Sequence, residues 1–505
     1  MTVGPRVALP KTWSPLDFGL HAFLVVSPFA LGLWTFSLAP LVGGNLFLAV
    51  VLAGVVVLLG AVVFGALASM WPWTGGDYAW QTRLLGAGLG AVVALTSWWL
   101  IVALLAPVYG NVIAVQVLDP LLMHAGWDGP ASWFHTREGT FAASLMAIGV
   151  ATAFVGLGMR RAAMAQRVMV VIGSVALVVV LALLLTGDPA TVRKEFDANA
   201  ADVYGASPLA SAQIVEIGDF DAQATEVEPG DTLRLVPLVL LFGLWIGWAG
   251  PLVGEVRSGK PASVSLALVR VAAVSTVTSL LFLVAIGRGS TWEFWNEANN
   301  LYWGTLHGTT AATPLPAWPS PVVFAAWLTD STLVQIAIIV GMAAWVVGWT
   351  ATLFLGATRV LLAAASDRVL PSAVARTTGD SVPLVALGLL VVPACALAAV
   401  DAYWDAFAEW SAVAVVALAV TTAASGVAAV VGFRRERRSL AAISALFVLL
   451  VVLVVGVWVL DPVYGMRTFG ALAFLAALYG ISAGVYAMSR RRERKAPVTM
   501  ADASG

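Results

Sequence analysis

The sequence predicts an all-α polytopic membrane protein of twelve transmembrane helices, and three observations predict it. Hydrophobic residues make up 60% of the 505-residue chain and charged residues 11%, where a soluble protein carries about a quarter charged. Apolar runs long enough to cross a hydrocarbon core recur twelve times between residues 18 and 488. Basic residues sort by side: with the loops assigned alternately, 21 of the 27 Lys and Arg fall on the side of the two termini. The positive-inside rule makes that side cytoplasmic, with both termini there.

Residues 1–16 read as a cytoplasmic segment without a cleavable signal, so the first helix serves as an uncleaved one. The spans are expected near 18–38, 44–70, 86–117, 140–157 and 168–186, then within 236–261, then near 264–286, 331–364, 382–400 and 407–432, then 440–460 and 469–488. Between the second and third, WTGGDYAWQTRLLG reads as a short surface helix. GMRRAAMAQR reads as a basic link ahead of the fifth span. Residues 187–232 form an acidic extracellular loop without a sustained apolar run, and 287–321 form a Trp- and Pro-rich loop. The acidic loop is open to two readings, a concentrator of cations at an entrance or a solvated, partly disordered face. Residues 489–505 are a polar cytoplasmic tail.

Two spans are interrupted. The sixth reads VPLVLLFGLWIGWAGPLVGEVRSGKP, with Gly243, Gly247, Gly250 and Pro251 inside one apolar run. Gly and Pro are disfavoured within a helix, and Pro also deletes a backbone donor. Backbone left unpaired at membrane depth has to face a cavity, a ligand or protein. A Gly/Pro-kinked packing helix is the other reading, since both residues are common in membrane spans. The first span carries a matching interruption at Ser27-Pro28 and Gly32. Each opens a set of five spans: residues 17–186 hold the first set, 233–432 the second, and 433–488 two further helices. That pattern is expected of two inverted halves with a site where the broken helices meet. Half-helix N-termini there would offer N–H groups to an anion, and C-terminal ends would offer carbonyls to a cation.

Three short motifs follow the second, sixth and eighth spans. Met70-Trp71-Pro72 with Gly75-Gly76-Asp77-Tyr78 resembles the "Pro, Gly-Gly-any-Tyr" signature of the amino acid–polyamine–organocation permeases. Gly254-Glu255-Val256 with Gly259-Lys260-Pro261 is similar to that family's acidic motif. Thr358-Arg359 with Asp367-Arg368-Val369-Leu370-Pro371 resembles its "Arg … Ala-any-Asp-any-any-Leu-Pro" motif. The resemblance covers roughly residues 15–490. It implies the five-plus-five inverted-repeat (LeuT-type) transporter fold plus two C-terminal helices. It also implies uptake or exchange of an amino acid or related amine, driven by protons or counter-substrate. Three departures stand out. The first break is Ser27-Pro28-Phe29-Ala30-Leu31-Gly32 rather than Gly-Ser-Gly-Ile. Gly247-Trp248 is followed by Ala249, not by an acidic residue. The fifth span carries no lysine.

The candidate substrate-binding residues are the first break (Ser27, Pro28, Phe29, Ala30, Leu31, Gly32), the second (Phe242, Gly243, Leu244, Trp245, Ile246, Gly247), and the mid-span aromatics Trp98, Trp345 and Trp349. Such rings suit an apolar side chain or, by cation–π attraction, a cation; with 21 Trp in the chain, others are interface anchors. The candidate gating or coupling residues are Asp17, His21, Asp77, Glu255 and Arg359. Asp17 and His21 lie one helical turn apart and read either as a proton relay or as a helix cap beside a boundary histidine. Arg359 pairs with Glu255 or Asp77 at an inner gate, or else snorkels to the surface. Glu409 and Asp330 open spans ten and eight and complement the helix dipole.

No enzyme is expected. No His/Asp/Glu or Ser/His/Asp set gathers, no His pair has metal-ligand spacing, and no phosphate-binding Gly-rich loop is present. The single Cys395 is a small core residue. The expected partners are a small-molecule substrate and the lipid bilayer, with no nucleic acid, metal or cofactor. The alternatives are a non-transporting nutrient sensor on the same fold, a permease for another small organic cation or nucleobase-like solute, and, more remotely, a channel.

Overall fold

Among its described residues, the computed structural model of the chain has twelve helices long and apolar enough to cross a membrane. It describes residues 9–204, 211–212, 229–257, 260, 262–306, 318–378, 380–404, 407, 413–464, 466 and 468–495. Residues 213–228, Gly259, Pro261, His307 and Glu409 lie outside the described residues.

Spans one to six are Pro15–Val42, Leu46–Met70, Ala87–His124, Arg137–Gly156, Gly158–Thr186 and Pro229–Glu255. Spans seven to twelve are Ala262–Ser290, Thr332–Ser366, Leu384–Tyr403, Ala414–Phe433, Arg438–Leu460 and Phe469–Arg492. Enclosure separates them into two classes. Span six is 94% and span one 83% buried, whereas spans eleven and twelve are 22% and 17% buried. The two interrupted helices therefore sit at the centre, and the last two lie on the periphery with their apolar faces outward.

Packing follows small side chains. A Cβ at Gly54 or Gly65 of span two would lie 2.5 Å and 2.6 Å from Thr276 and Ser265 of span seven. Bare backbone at those two points lets the helices approach closely, as is common between membrane helices. Span one packs on span six, span two on span seven, span three on span eight, and span four on span nine.

Several expectations are corrected. The basic link before span five is helical: the turn is at Gly158 (φ +72), and the helix starts there. The WTGGDYAWQTRLLG stretch does hold a short helix, Asp77–Leu84, but residues 77–82 are buried rather than on the surface. The acidic loop contains a helix, Pro189–Tyr204, started by Asp188, whose carboxylate accepts from the N–H groups of Ala190 and Thr191. Its Phe196 is buried against Phe294, Phe324 and Trp327. These rings belong to helix Trp292–Leu306, within the stretch read as a Trp- and Pro-rich loop, and to helix Pro321–Trp327, between that stretch and span eight. The three segments are helical because they bury one another's rings, a reason that the hydropathy of each alone does not carry.

Candidate functional site

Span one breaks where its first helix, Pro15–Val26, meets Ser27. Ser27 adopts φ +49, a left-handed conformation uncommon for a non-glycine residue. Its N–H still donates to the Phe23 carbonyl, and its own carbonyl accepts from the N–H of Gly32 (3.0 Å). Pro28-Phe29-Ala30 form the turn, and the helix resumes over Leu31–Ser37. The Ala30 carbonyl accepts from Nε2 of Gln116 (3.1 Å), which pins the break to span three.

Span six changes type rather than opening. It is α-helical to Gly243 and a tighter 3₁₀ helix over Leu244–Glu255. Runs of 3₁₀ geometry longer than three or four residues are uncommon and mark a hinge or strain. Here the tightening coincides with the Gly- and Pro-rich stretch. Gly243 and Gly247 turn out to serve packing. A Cβ on them would lie 2.2 Å from Val57 and 2.6 Å from Phe64, both of span two. Ile246 lies on the same side, against the Gly60 position of span two. Phe242 instead meets span one, edge-on to Phe36 (5.8 Å) and beside Gly32.

The aromatic candidates form two groups. Trp245 and Trp248 lie 3.9 Å apart, and Trp248 lies 4.1 Å from Trp98. Trp345 packs on Phe23 (5.5 Å) and Phe29 (5.1 Å), and Trp349 stacks on Tyr109 (3.7 Å). Trp245, Trp345 and Trp349 are buried, and the indole N–H of each makes no hydrogen bond among the described residues. Buried donors are almost always paired, which sets these three indoles on spans six and eight apart from Trp98, whose N–H has a partner.

The gate candidates separate by partner. Glu255 and Arg359 pair through two hydrogen bonds, Nε to Oε1 at 2.8 Å and Nη2 to Oε2 at 3.2 Å, with both residues buried. Arg359 thus takes Glu255 and not Asp77, and it does not snorkel. The Glu255 carbonyl accepts from the N–H groups of Thr12 and Trp13, and Trp13 donates through Nε1 to the Met159 carbonyl. The segment before span one is thereby strapped across the end of span six and the turn between spans four and five.

Asp17 closes a capping box with Ser14 and pairs with Arg167 at 2.7 Å. This is the capping role, with the carboxylate held by a guanidinium. His21 is fully buried, 5.2 Å from the Trp13 ring with Gln166 as its polar neighbour, and so is not at a lipid boundary. Asp330 is exposed and precedes the Ser331 cap of span eight.

The Gly75-Gly76 pair has a steric reason. A Cβ on Gly76 (φ +42) would lie 2.4 Å from the backbone of Gly250 and Pro251; one on Gly75 would lie 2.5 Å from Ala363 of span eight. Gly75 also donates its N–H to the Pro251 carbonyl (3.0 Å). Asp77 follows, 2% exposed. Its Oδ1 accepts from Ser425 of span ten (2.6 Å) and its Oδ2 from Nε1 of Trp98 (3.3 Å). Gln81, one turn on, donates to Ser425 (2.9 Å) and to the Thr421 carbonyl (3.1 Å). Burial pushes the Asp77 carboxyl up to about 7, against the two hydrogen bonds, which favour its charge. Beside it opens a cleft of about 210 Å³ lined by Lys11, Trp73, Thr74, Arg83, Gly254 and Asp367 among others.

Sequence reasoning missed Gln81, Ser425, Gln116, Arg167 and Trp13. Two left a signal: Gln81 lies four residues after Asp77, and Thr421 and Ser425 share a face of an otherwise apolar span. Trp98 and Gln116 sit in π-helical turns, Thr96–Ile101 and Ala114–Leu118, a geometry that leaves no mark in composition.

A twelve-span bundle whose two most enclosed helices both change course at mid-length has the build of a membrane transport protein. The chain matches the amino acid permease family over residues 19–468. It belongs to that family and, with it, to the amino acid–polyamine–organocation superfamily. No curated protein matches the chain.

Proposed function

We propose that the protein is a secondary active transporter that moves an amino acid or related amine across the cytoplasmic membrane by alternating access. Family membership points to transport rather than catalysis. The observation that carries the finer reading is the set of three unpaired indole donors, Trp245, Trp345 and Trp349, near the two interruptions. In this reading the turn at Ser27–Gly32 contacts the amino group and the unpaired indole N–H groups donate to the carboxylate. The ring faces, with Trp98, contact the side chain, while Phe242–Gly247 supports the site by packing on spans one and two. The inverted-repeat reading is supported by packing: spans one, two, three and four lie on spans six, seven, eight and nine, their counterparts in a second set of five. In this reading the Glu255–Arg359 pair is the gate at the cytoplasmic end, and both termini lie on that side.

Counterflow in proteoliposomes tests this. Vesicles preloaded with one unlabelled amino acid or amine at a time should accelerate entry of the same labelled compound for at least one of them. Binding that raises thermal stability without accelerated flux would mark a sensor instead. Substituting Trp245, Trp345 or Trp349 by Phe should also weaken binding of that compound in variants that still melt cooperatively, with a modest loss of stability from the smaller buried ring.

A further inference from the structure

Three carboxylates are buried at the Glu255 end of the bundle. Asp17 is held by Arg167 and Glu255 by Arg359. Asp77 has only the Ser425 hydroxyl and the Trp98 indole, with no cation in pairing distance among the described residues. The elements around it confirm this. The rest of its own helix carries Tyr78 and Arg83, and Arg83 leans over Trp73 and faces Asp367 at 3.6 Å. Residues 87–101 of span three and 414–433 of span ten contain no ionisable side chain. Span eight brings Arg359 and span six Glu255, and those two hold each other.

A buried carboxylate without a cation is at ease only when neutral, and its hydrogen bonds are compatible with that form. An indole N–H only donates, so Oδ2 has to accept. A serine hydroxyl donates or accepts, so the 2.6 Å bond between Oδ1 and Ser425 works in either direction. The proton therefore belongs on Oδ1. A metal cation is disfavoured there, since an N–H points at one oxygen and Gln81 already donates to Ser425.

Position gives the proton something to act on. Asp77 directly follows the Gly-Gly pair wedged against Gly250-Pro251 of span six and Ala363 of span eight. Trp98 connects it through Trp248 to Trp245, at the start of the 3₁₀ stretch. The solvent cleft reaches Thr74, three residues away. We propose that Asp77 is the site where a proton binds and couples substrate movement to a proton gradient. The protonated acid fits the closed end, and the carboxylate draws water in and parts the Asp77–Leu84 helix from spans six and eight. This rests on the transporter reading and adds the coupling ion to it.

The test uses the full-length protein in proteoliposomes, with a labelled mixture of the twenty proteinogenic amino acids as the probe. For each variant, the readout is the ratio of uptake with an inward acid gradient to uptake without one. Asp77→Asn is isosteric with the protonated acid, and a thermal melt verifies its folding. Its ratio should fall to about one, while wild type stays several-fold above one and Asp77→Glu recovers part of the stimulation. Infrared pH titration, which needs no substrate, should show a protonated-carboxyl band that disappears near neutral pH in wild type and is missing in Asp77→Asn. Trp98→Phe should move that midpoint to higher pH, because it removes a donor to the charged form. An unchanged ratio in Asp77→Asn, or persistence of the neutral-pH band in it, overturns the proposal, as does stimulation of wild type by sodium alone. Wild-type counterflow that ignores the proton gradient also overturns it, but leaves the transporter reading standing. Wild type without counterflow of any tested compound sinks the transporter reading itself.

Discussion

Arg359 illustrates what one residue contributes. Its guanidinium matches Glu255 with two hydrogen bonds in a fully buried setting. Removing one partner of such a pair leaves an uncompensated charge and costs about 3–5 kcal/mol. Arg359→Gln and Glu255→Gln should each lower the melting temperature in detergent sharply, and the double variant by less than the two added. The three indoles behave differently. Trp245→Phe removes an N–H and also shrinks a buried ring, so the melting temperature should fall modestly by the cost of the cavity left behind. Half-saturation for substrate should rise by about two- to tenfold, the worth of one hydrogen bond of about 0.5–1.5 kcal/mol. His135 supplies a pH signal at the opposite end. It pairs with Asp119 at 2.9 Å, and that hydrogen bond raises its pKa, burial opposing. A folded-state pKa above the unfolded one stabilises fully below the unfolded value of about 6.5. That contribution is lost as pH rises through the folded value. Melting curves should therefore show a loss on the alkaline side that His135→Gln abolishes.

At the scale of elements, the short helix Asp77–Leu84 and the 3₁₀ stretch of span six depend on one another. The chain folds locally as it does because Gly75 and Gly76 remove the side chains that would hold the two apart. Gly76→Ala adds a Cβ at φ +42 in a space 2.4 Å from backbone. Overpacking of this kind costs about 1–3 kcal/mol. The variant should melt earlier, and a cysteine at Thr74 should react faster with a water-soluble maleimide as the cleft widens. If that reactivity stays the same, the helix is not a wedge against span six. Asp77 adds a pH term at this scale. Its folded value of about 7 lies above an ordinary 3.8, so the closed end loses stability as pH rises between those two values.

For the whole molecule, enclosure sets the roles. Spans one and six fill the centre and spans eleven and twelve the edge, which is why the proposed site is placed on the former. Reporter fusions at both termini should signal from the cytoplasm, and a reporter inserted after residue 220 should signal from outside. Opposite signals from the two termini would break the twelve-span count, and matching signals from outside would overturn the orientation expected from the charge asymmetry.

Twelve spans, the interruptions at Ser27–Gly32 and Gly243–Pro251, and the three end motifs were all legible in the sequence. Hydropathy, Gly and Pro act through the nearest few residues and the surrounding solvent, and a linear reading captures them. The partner of Arg359 was not legible, because Glu255 lies 104 residues away and the choice against Asp77 depends on how the helices are rotated about their axes. The same rotation turned Gly243 and Gly247 toward span two, buried the Asp77 helix under span ten, and left the indole N–H groups of Trp245, Trp345 and Trp349 without partners among the described residues. The sequence by itself determined where the chain crosses and where it breaks. Only the tertiary structure decided which breaks face the centre and which buried charge goes without a counter-ion, because both are settled by contacts between helices far apart in the chain.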